Sequence, residues 1–244
     1  MRTSNPTLNE KAFRVDYAGT NTMTVGGTVN KTFILLLVLT MTFIWSWKKV
    51  ISFGDTAAMV PWMIGGAIVG LIFALVTAFA PKASPFTAPL YALAEGVFLG
   101  AFAAFMELQY PGIAFQAALL TFATLFAMLG AYKTGLIKVT EKFRTGLIAA
   151  TGAVFLVYMA SFILGFFGIH MPFIHDSGPI GIGISLVIIA IAALNLVLDF
   201  DFIDRGAAQG APKYMEWYGA FGLLVTLVWL YIEFLRLLSK LRSR

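Results

Sequence analysis

Seven continuous apolar runs of about 20 residues alternate along the chain with short segments that carry proline, glycine and charge. A helix needs about 20 apolar residues to cross a hydrocarbon core of roughly 30 Å. The runs lack the two-residue alternation that is typical of outer-membrane strands. The pattern therefore predicts an all-α membrane protein, a bundle of seven transmembrane helices. The runs cover residues 32–52, 57–80, 87–107, 112–132, 145–168, 179–202 and 216–238.

The composition supports this prediction and narrows the class of protein. The chain of 244 residues is 59% hydrophobic and only 12% charged, and its mean hydropathy is +0.86. These values lie far outside the range of soluble globular domains. The formal net charge of +5 does not indicate nucleic-acid binding, because Lys and Arg fall in short loops and in the tail, where they meet lipid head groups. The chain has no cysteine, which excludes disulfides and thiol chemistry.

The first 30 residues are polar and rich in Asn and Thr. Such a segment cannot bury enough apolar surface to fold by itself, so it predicts a tail with little fixed structure. The chain is therefore divided into an N-terminal tail, residues 1–30, and one seven-helix membrane domain, residues 31–244.

The distribution of Lys and Arg predicts that the N-terminus lies in the cytoplasm. In that topology eleven basic residues fall in cytoplasmic segments and six on the opposite side, as the positive-inside rule requires. Four of the six belong to the C-terminal tail, which counts against a seventh helix that crosses completely.

Four acidic residues fall within the predicted membrane helices, namely Glu95, Asp199, Asp201 and Glu233. An ionised carboxylate at the bilayer centre costs about 3 kcal/mol or more, so such a residue is paired, protonated or in contact with a wet cavity. Asn195 precedes Asp199 by one turn, so the amide and the carboxylate share a face of an apolar helix. We expect Asp199 to be functional, because intramembrane ionisable residues usually are.

The neighbouring acids also have local interpretations. Asp201 is offset from Asp199 by about 200° on an ideal helix, so the two cannot face one pocket. Asp201 precedes Arg205 by four residues, and we expect the two to pair at a solvated helix end. Glu233 precedes Arg236 by three residues, so a local ion pair and a functional role are both open.

A buried carboxyl group can act as a protonation switch. Burial in a low dielectric disfavours the charged form, and a second acid nearby disfavours it further, so the group can exchange its proton near neutral pH. The charge that is created must be hydrated or matched by a cation. Either response could open a path across the membrane.

Five stretches of the chain carry a family resemblance: LYALAEGVFLGAFAAF, YPGIAFQAALLTFATLFAMLGAY, TGLIKVTEKF, LVLDFDFID and TLVWLYIEFLRLL. In order, spacing and character they resemble the Bax inhibitor-1 family, the transmembrane Bax inhibitor motif proteins, over about residues 30–240. The most specific features are Glu95 with Gly96, the Pro-Gly-Ile and Gln-Ala of residues 111–117, and the acid that closes the sixth run. The chain is most similar to the bacterial branch, which implies a multi-pass protein of the inner membrane.

The resemblance implies a seven-helix protein with the last helix central, and a proton-sensitive calcium leak controlled by paired acids on the sixth and seventh helices. Asp199 matches the sixth-helix acid, because Ile203 follows it by four residues. The expected seventh-helix acid falls at Thr226, and the nearest carboxylates are Glu216 and Glu233. In a simple hairpin Glu216 lies closer to the depth of Asp199 than Glu233 does, so Glu216 is the predicted partner.

Enzymatic alternatives find little support in the sequence. The Tyr-Asp and Gly-x-Gly-Asp motifs of intramembrane aspartyl proteases are missing. A serine-type membrane protease needs Ser and His at depth, whereas His170 and His175 lie in one short loop. These two residues with Asp176 could bind a metal. Two His and one Asp are few ligands for a metal site, however, and such a set more often belongs to an ordinary polar loop. We therefore expect no enzymatic activity, no cofactor and no bound metal.

Two functional hypotheses follow. In the first, the protein is a pH-regulated cation leak channel whose permeant ion is Ca²⁺. In the second, it transports nothing and instead binds and restrains another membrane protein, such as a protease. The expected partners are the lipid bilayer and, in the second hypothesis, that membrane protein; nucleic acid is not expected. The candidate residues for proton sensing and ion passage are Asp199, Glu216, Asp201, Glu95, Asn195 and Glu233.

Overall fold

The computed structural model describes residues 21–53, 60–168 and 176–243 of the chain. Seven of its helices are long and apolar enough to cross a membrane. Within the described ranges there is no strand, and an isolated β-bridge joins Thr22 and Pro212. The prediction of an all-α protein with seven transmembrane helices is confirmed. The helices are α1 (Val25–Phe53), α2 (Val60–Phe79), α3 (Ser84–Gln109), α4 (Ile113–Lys133), α5 (Glu141–Phe166), α6 (Pro179–Ala208) and α7 (Met215–Arg242), with a short 3₁₀ helix (Pro81–Ala83) before α3.

The first helix begins earlier than its apolar run predicted. α1 starts at Val25, and the hydroxyl of Thr24 accepts a hydrogen bond from the Gly27 amide at 2.9 Å. This bond satisfies one of the unpaired donors of the first helical turn. Hydropathy marks only the part of a helix that lies in hydrocarbon, so it misses polar turns at the ends.

The predicted N-terminal tail falls only partly within the described residues. Residues 1–20 lie outside them, and residues 25–30 form the first turns of α1. Between these segments, the Met23 amide donates to the Ala211 carbonyl at 2.7 Å. The chain is therefore attached to the α6–α7 connection immediately before α1.

The first and last described residues lie at opposite ends of the bundle. We call the end that holds Met23 and the α6–α7 connection the N-terminal end. The other, the C-terminal end, holds the α3–α4 connection, where Arg242 donates to the Pro111 carbonyl at 2.6 Å. α7 therefore crosses the bundle completely, although the basic tail counted against this. The cytoplasmic location of the N-terminus stays a prediction.

The basic residues at the end of α7 are bonded to the bundle itself. Lys240 is buried, and its Nζ donates to the Gly181 carbonyl at 3.0 Å and to the Ser185 hydroxyl at 2.9 Å. Arg242 also donates to the Gln116 side chain at 2.9 Å. Charges with such contacts serve packing as well as topology, so they weigh less than free loop charges in a count of Lys and Arg.

The last helix is the centre of the bundle, as the family resemblance implied. α7 packs against α1, α3, α4 and α6. Inside the bundle, 67% of its apolar 18-residue stretch is buried, compared with 6% of the corresponding stretch of α5. Leu224, Leu230 and Leu235 of α7 are completely buried. α5 packs mainly against α6, so most of its apolar surface is left for lipid.

Glycine pairs allow the first three helices to approach closely. A β-carbon at Gly96 or Gly100 of α3 would overlap the backbone of α1 at Leu39 or Phe43. A β-carbon at Gly66 of α2 would lie 2.7 Å from the Phe98 amide nitrogen of α3. These Gly-x-x-x-Gly segments therefore serve helix packing within the chain.

Candidate functional site

Asp199 on α6 and Thr226 on α7 meet and form the centre of the candidate site. The Thr226 hydroxyl donates to Oδ2 of Asp199 at 2.7 Å. Thr226 is buried and Asp199 is half-buried. Gly222 lies beside the same carboxylate, since a β-carbon there would be 3.8 Å from Oδ1 of Asp199. The missing side chain at Gly222 leaves room for the acid against α7.

The Asp199 carboxylate has no basic partner within the described part of the chain. No described Lys or Arg nitrogen lies within 4.0 Å of it, and its Oδ1 accepts no hydrogen bond from a described residue. A lone carboxylate in a low dielectric is unfavourable, so this group is stabilised by a proton, by a cation or by water. The arrangement is chemically suited to an exchange between a proton and a cation.

Asn195 lies one turn from Asp199 on α6 but bonds to α5. Its Nδ2 donates to the Thr151 hydroxyl and to the Ile191 carbonyl, both at 2.8 Å. Asn195 therefore joins α6 to α5, while Asp199 joins α6 to α7. Together they make the polar face of α6.

Asp201 belongs to a separate charged cluster at the N-terminal end. Nη2 of Arg144 and Nε of Arg205 each lie 2.9 Å from its carboxylate. The same two arginines lie 3.6 and 3.7 Å from Glu141. The predicted pair of Asp201 with Arg205 is present. The prediction of a solvated helix end is wrong, because Arg144 of α5 covers the carboxylate and Asp201 is only 7% exposed.

Glu216, in the first turn of α7, is completely buried and holds the start of α1. Its Oε1 accepts hydrogen bonds from the amide and hydroxyl of Thr24 at 3.0 and 2.8 Å and from Nζ of Lys213 at 2.8 Å. Nζ of Lys31 lies 3.8 Å from Oε2. Gly27 leaves room for the carboxylate, because a β-carbon there would overlap it. This cluster is a structural tie between α1 and α7.

The structure does not pair Asp199 with Glu216, contrary to the prediction. That prediction placed the α6–α7 turn near residue 209, whereas α6 continues to Ala208 and α7 begins only at Met215. The later turn brings Thr226 to the level of Asp199. Glu216 lies about 15 Å away from Thr226 along the axis of α7.

Replacing Glu216 with alanine is expected to weaken the attachment of α1 to α7. The change removes the acceptor of the bonds from Thr24 and Lys213. Hydrogen bonds to charged groups contribute about 1.5–3 kcal/mol each, and water can rehydrate Lys213, so we expect the free energy of unfolding to fall by about 3 kcal/mol. Unfolding in mixed detergent micelles, followed by circular dichroism, measures this change.

Glu141→Ala is the matched control for this prediction. Glu141 also faces two basic residues, but its side chain is 77% exposed. Exposed ion pairs contribute about 0–1 kcal/mol, so the control should change the free energy of unfolding by less than about 0.5 kcal/mol. Equal losses in the two variants would contradict a buried tie at Glu216.

Glu233 lies in the C-terminal half of α7 and is 1% exposed. Its Oε1 accepts hydrogen bonds from the Tyr158 hydroxyl at 2.8 Å and from Nη1 of Arg236 at 3.3 Å. The Arg236 guanidinium also lies over the Tyr158 ring, 4.9 Å from its centroid. Oε2 of Glu233 is buried and has no hydrogen-bond partner among the described residues. The local pair with Arg236 is present, and one carboxylate oxygen is left unsatisfied.

Glu95 lies near the middle of α3 and faces α2. It is buried, and a β-carbon at Gly70 of α2 would lie 2.8 Å from its Oε2. No described residue forms a hydrogen bond or ion pair with its carboxylate. Among the four predicted intramembrane acids, Glu95 and Asp199 are thus the two without a basic partner, and the structure places them against different helices.

The loop that was considered as a metal site lies mostly outside the described residues. His170 and His175 are not among them, and Asp176 is exposed. The expectation that no metal is bound stays a prediction.

Sequence reasoning missed the neutral and basic residues that contact the acids. They include Thr226 as a donor to Asp199, and Arg144 and Tyr158 on α5, while Thr151 of the same helix contacts the candidate residue Asn195. The three α5 residues recur every seven positions, which places them on one helix face. That spacing is a signal that could have identified α5 as a partner of the acidic helices.

Comparison with known proteins identifies the family of the chain. A search of curated proteins and a search of solved structures each found no match. The family model described as Bax inhibitor 1 like matches residues 5–243. Because this match covers nearly the entire chain and the seven-helix architecture agrees with it, the chain belongs to the Bax inhibitor 1 like family.

Proposed function

We propose that this protein is a pH-sensitive cation leak channel, that Ca²⁺ is its permeant ion, and that Asp199 is its proton-sensing group. The observation that carries the proposal is a carboxylate on a membrane helix whose described partner is a neutral hydroxyl, that of Thr226. Family membership supports the same function, because the resemblance implies a proton-sensitive calcium leak.

The charges around three of the other candidate acids distinguish Asp199 from them. Asp201 contacts two arginines, Glu216 contacts Lys213, and Glu233 contacts Arg236. Acids with such partners can stay ionised without an external ion. The charge on Asp199 instead depends on the supply of protons and cations, because loss of its proton leaves a negative charge that attracts water or a cation.

The oxygen atoms near Asp199 suit Ca²⁺, a hard cation that prefers oxygen ligands. They are the carboxylate of Asp199, the hydroxyl of Thr226 and the side-chain carbonyl of Asn195, whose nitrogen already donates to Thr151. Tight calcium sites use about 6–8 oxygens. A smaller set binds more weakly, and conduction requires binding weak enough for the ion to leave.

Calcium flux into liposomes tests the proposed function. Purified protein is reconstituted around an entrapped calcium dye, and entry is recorded from mildly acidic to mildly alkaline pH. We expect entry that exceeds that of protein-free liposomes and changes with pH. Flux equal to that of protein-free liposomes at every pH would contradict the proposal.

A second candidate function is that of a non-transporting protein that binds another membrane protein. One observation favours it. Only 6% of the apolar 18-residue stretch of α5 is buried, so a broad apolar face of this helix is open to lipid or to a second protein. Single-cysteine crosslinking from this face, at Phe155 or Phe162, would then capture one defined partner protein. The same preparation would show no calcium entry above that of protein-free liposomes.

A further inference from the structure

Polar residues recur at seven-residue spacing on α7 and on α5. On α7 they are Thr226, Glu233 and Lys240, and all three are buried. Residues seven apart lie on one helix face, about 10 Å from each other along the axis. The corresponding residues on α5 are Arg144, Thr151 and Tyr158. Between them α6 contributes Ser185, Asn195 and Asp199, with the buried, apolar Ala192 interrupting the polar positions.

These stripes face one another, because hydrogen bonds join them at successive levels across the bundle. We call the contact between α5, α6 and α7 along these stripes the seam. From the N-terminal end to the C-terminal end, the bonds are Thr226 to Asp199, Asn195 to Thr151, Tyr158 to Glu233 and Lys240 to Ser185. The seam therefore carries side-chain hydrogen bonds at four levels, within helices that are otherwise apolar.

A polar cavity continues the seam at the C-terminal end. It has a volume of about 360 Å³, room for several water molecules. Tyr158 and Arg236, the two side chains that bond to Glu233, both line it, together with Ser185 and Lys240. The surroundings of Glu233 are thus in direct contact with a space that can hold water.

We propose that cations cross the bundle along this seam and that Glu233 is a second carboxylate on the route, at which the Arg236 guanidinium occupies the place of the permeating cation. The inference rests on the proposed function and extends it from Asp199 to the far end of the bundle. A cation that leaves the level of Asp199 and Asn195 meets the Tyr158 hydroxyl and the Glu233 carboxylate next.

The geometry around Glu233 fits a replaceable cation. Of the two carboxylate oxygens, Arg236 contacts only Oε1, at 3.3 Å, and its side chain is 43% exposed. It can therefore turn into water at the cost of this bond and of its contact with the Tyr158 ring. Oε2 is buried without a hydrogen-bond partner among the described residues, which leaves ligand capacity for an ion. The other charged group at this end of the stripe is Lys240, whose ammonium is held against Gly181 and Ser185.

Flux through single variants tests the role of Glu233. In Glu233→Gln we expect calcium flux to fall about tenfold at every pH, the effect of about 1.4 kcal/mol on a rate. In Arg236→Gln we expect flux to rise, because the resident cation is gone. The pH at which flux changes should stay as in the wild type in both variants, because Asp199 is untouched.

The matched control is Glu107→Gln. Glu107 also lies at the C-terminal end, but its carboxylate accepts bonds from the Gly112 and Ala114 amides outside the seam. Its flux should equal that of the wild type. If Glu233→Gln conducts like Glu107→Gln while remaining monodisperse, the second carboxylate is refuted, and Asp199 keeps its proposed role. If Glu233→Gln lowers thermal stability but leaves calcium flux unchanged, the seam is a packing contact and the route is refuted as well.

Cysteine labelling tests the route without relying on flux, since the chain has no native cysteine. A charged, membrane-impermeant thiol reagent is applied to Ile188→Cys, which lines the cavity, and to Leu186→Cys, which is 53% exposed on the lipid side of α6. We expect rapid reaction at position 188 and slow reaction at position 186. Thr151→Cys, beyond Glu233, should react faster once Arg236→Gln is added.

The outcomes of labelling separate the two proposals. Equal, slow reaction at positions 188 and 186 would overturn the seam as a wet route, even if the wild type conducts calcium. Rapid reaction at position 188 in a protein that shows no flux would refute both the leak function and the cation role of Glu233.

Discussion

Replacing Asp199 with asparagine is expected to make calcium flux independent of pH. Asparagine has nearly the same shape as aspartate. Its side-chain oxygen can accept the hydrogen bond that the Thr226 hydroxyl donates to Oδ2 of Asp199 at 2.7 Å, but asparagine cannot exchange a proton. The site is then permanently neutral. The ratio of flux between acidic and alkaline liposomes should fall from its wild-type value to about one, because the proton-binding step is gone.

Asp204→Asn is the control for this change. Asp204 lies on the same helix, and its Oδ2 accepts a hydrogen bond from the Tyr132 hydroxyl at 3.0 Å, a bond that the amide oxygen can also accept. The control should keep the pH dependence of the wild type. If Asp199→Asn also keeps it, the proton sensor lies elsewhere. Glu95 is then the remaining intramembrane acid that contacts no described basic residue, and Glu95→Gln would be the next variant.

The helices of this fold could be predicted from the sequence because lipid leaves the chain few choices. Every backbone donor and acceptor within hydrocarbon must bond inside the helix, so each long apolar run becomes a span. The helix ends are set differently. Thr24 binds the Gly27 amide and Glu216 at the start of α1, and no hydropathy pattern contains a contact between residues so far apart in the chain.

The acid of the candidate site could be predicted, and the family resemblance placed its seventh-helix counterpart at position 226, but hairpin geometry chose Glu216 as the partner instead. Asp199 stands out because it is charged within an apolar run. Which α7 residue lies opposite it depends on the length of the α6–α7 connection, and a turn centred about three residues later moves the contact by about six residues, nearly two helical turns. The same limit hid Arg144, since only the packing of α5 on α6 brings it to Asp201.

A threonine at position 226 gives this site one carboxylate where the family resemblance implies two. Two close carboxyl groups share a proton, because both cannot ionise at once, and they titrate in two steps. One carboxyl beside a hydroxyl has a single step. The pH response of this protein should therefore be simpler than that of a paired-acid site, a difference that one substitution can remove.

Replacing Thr226 with aspartate is expected to move the pH transition of calcium flux upward by about one pH unit or more, since two carboxyl groups in contact repel each other when ionised. The flux curve should also broaden into two steps. Thr226→Asn is the matched control, because it has the shape of aspartate without a charge, and its curve should stay a single step near the wild-type pH. Both variants are compared in the same liposomes after their thermal stability is measured. A curve for Thr226→Asp that coincides with that of Thr226→Asn would mean that the α7 side chain does not act on the proton of Asp199, and the hydroxyl contact would then be structural only.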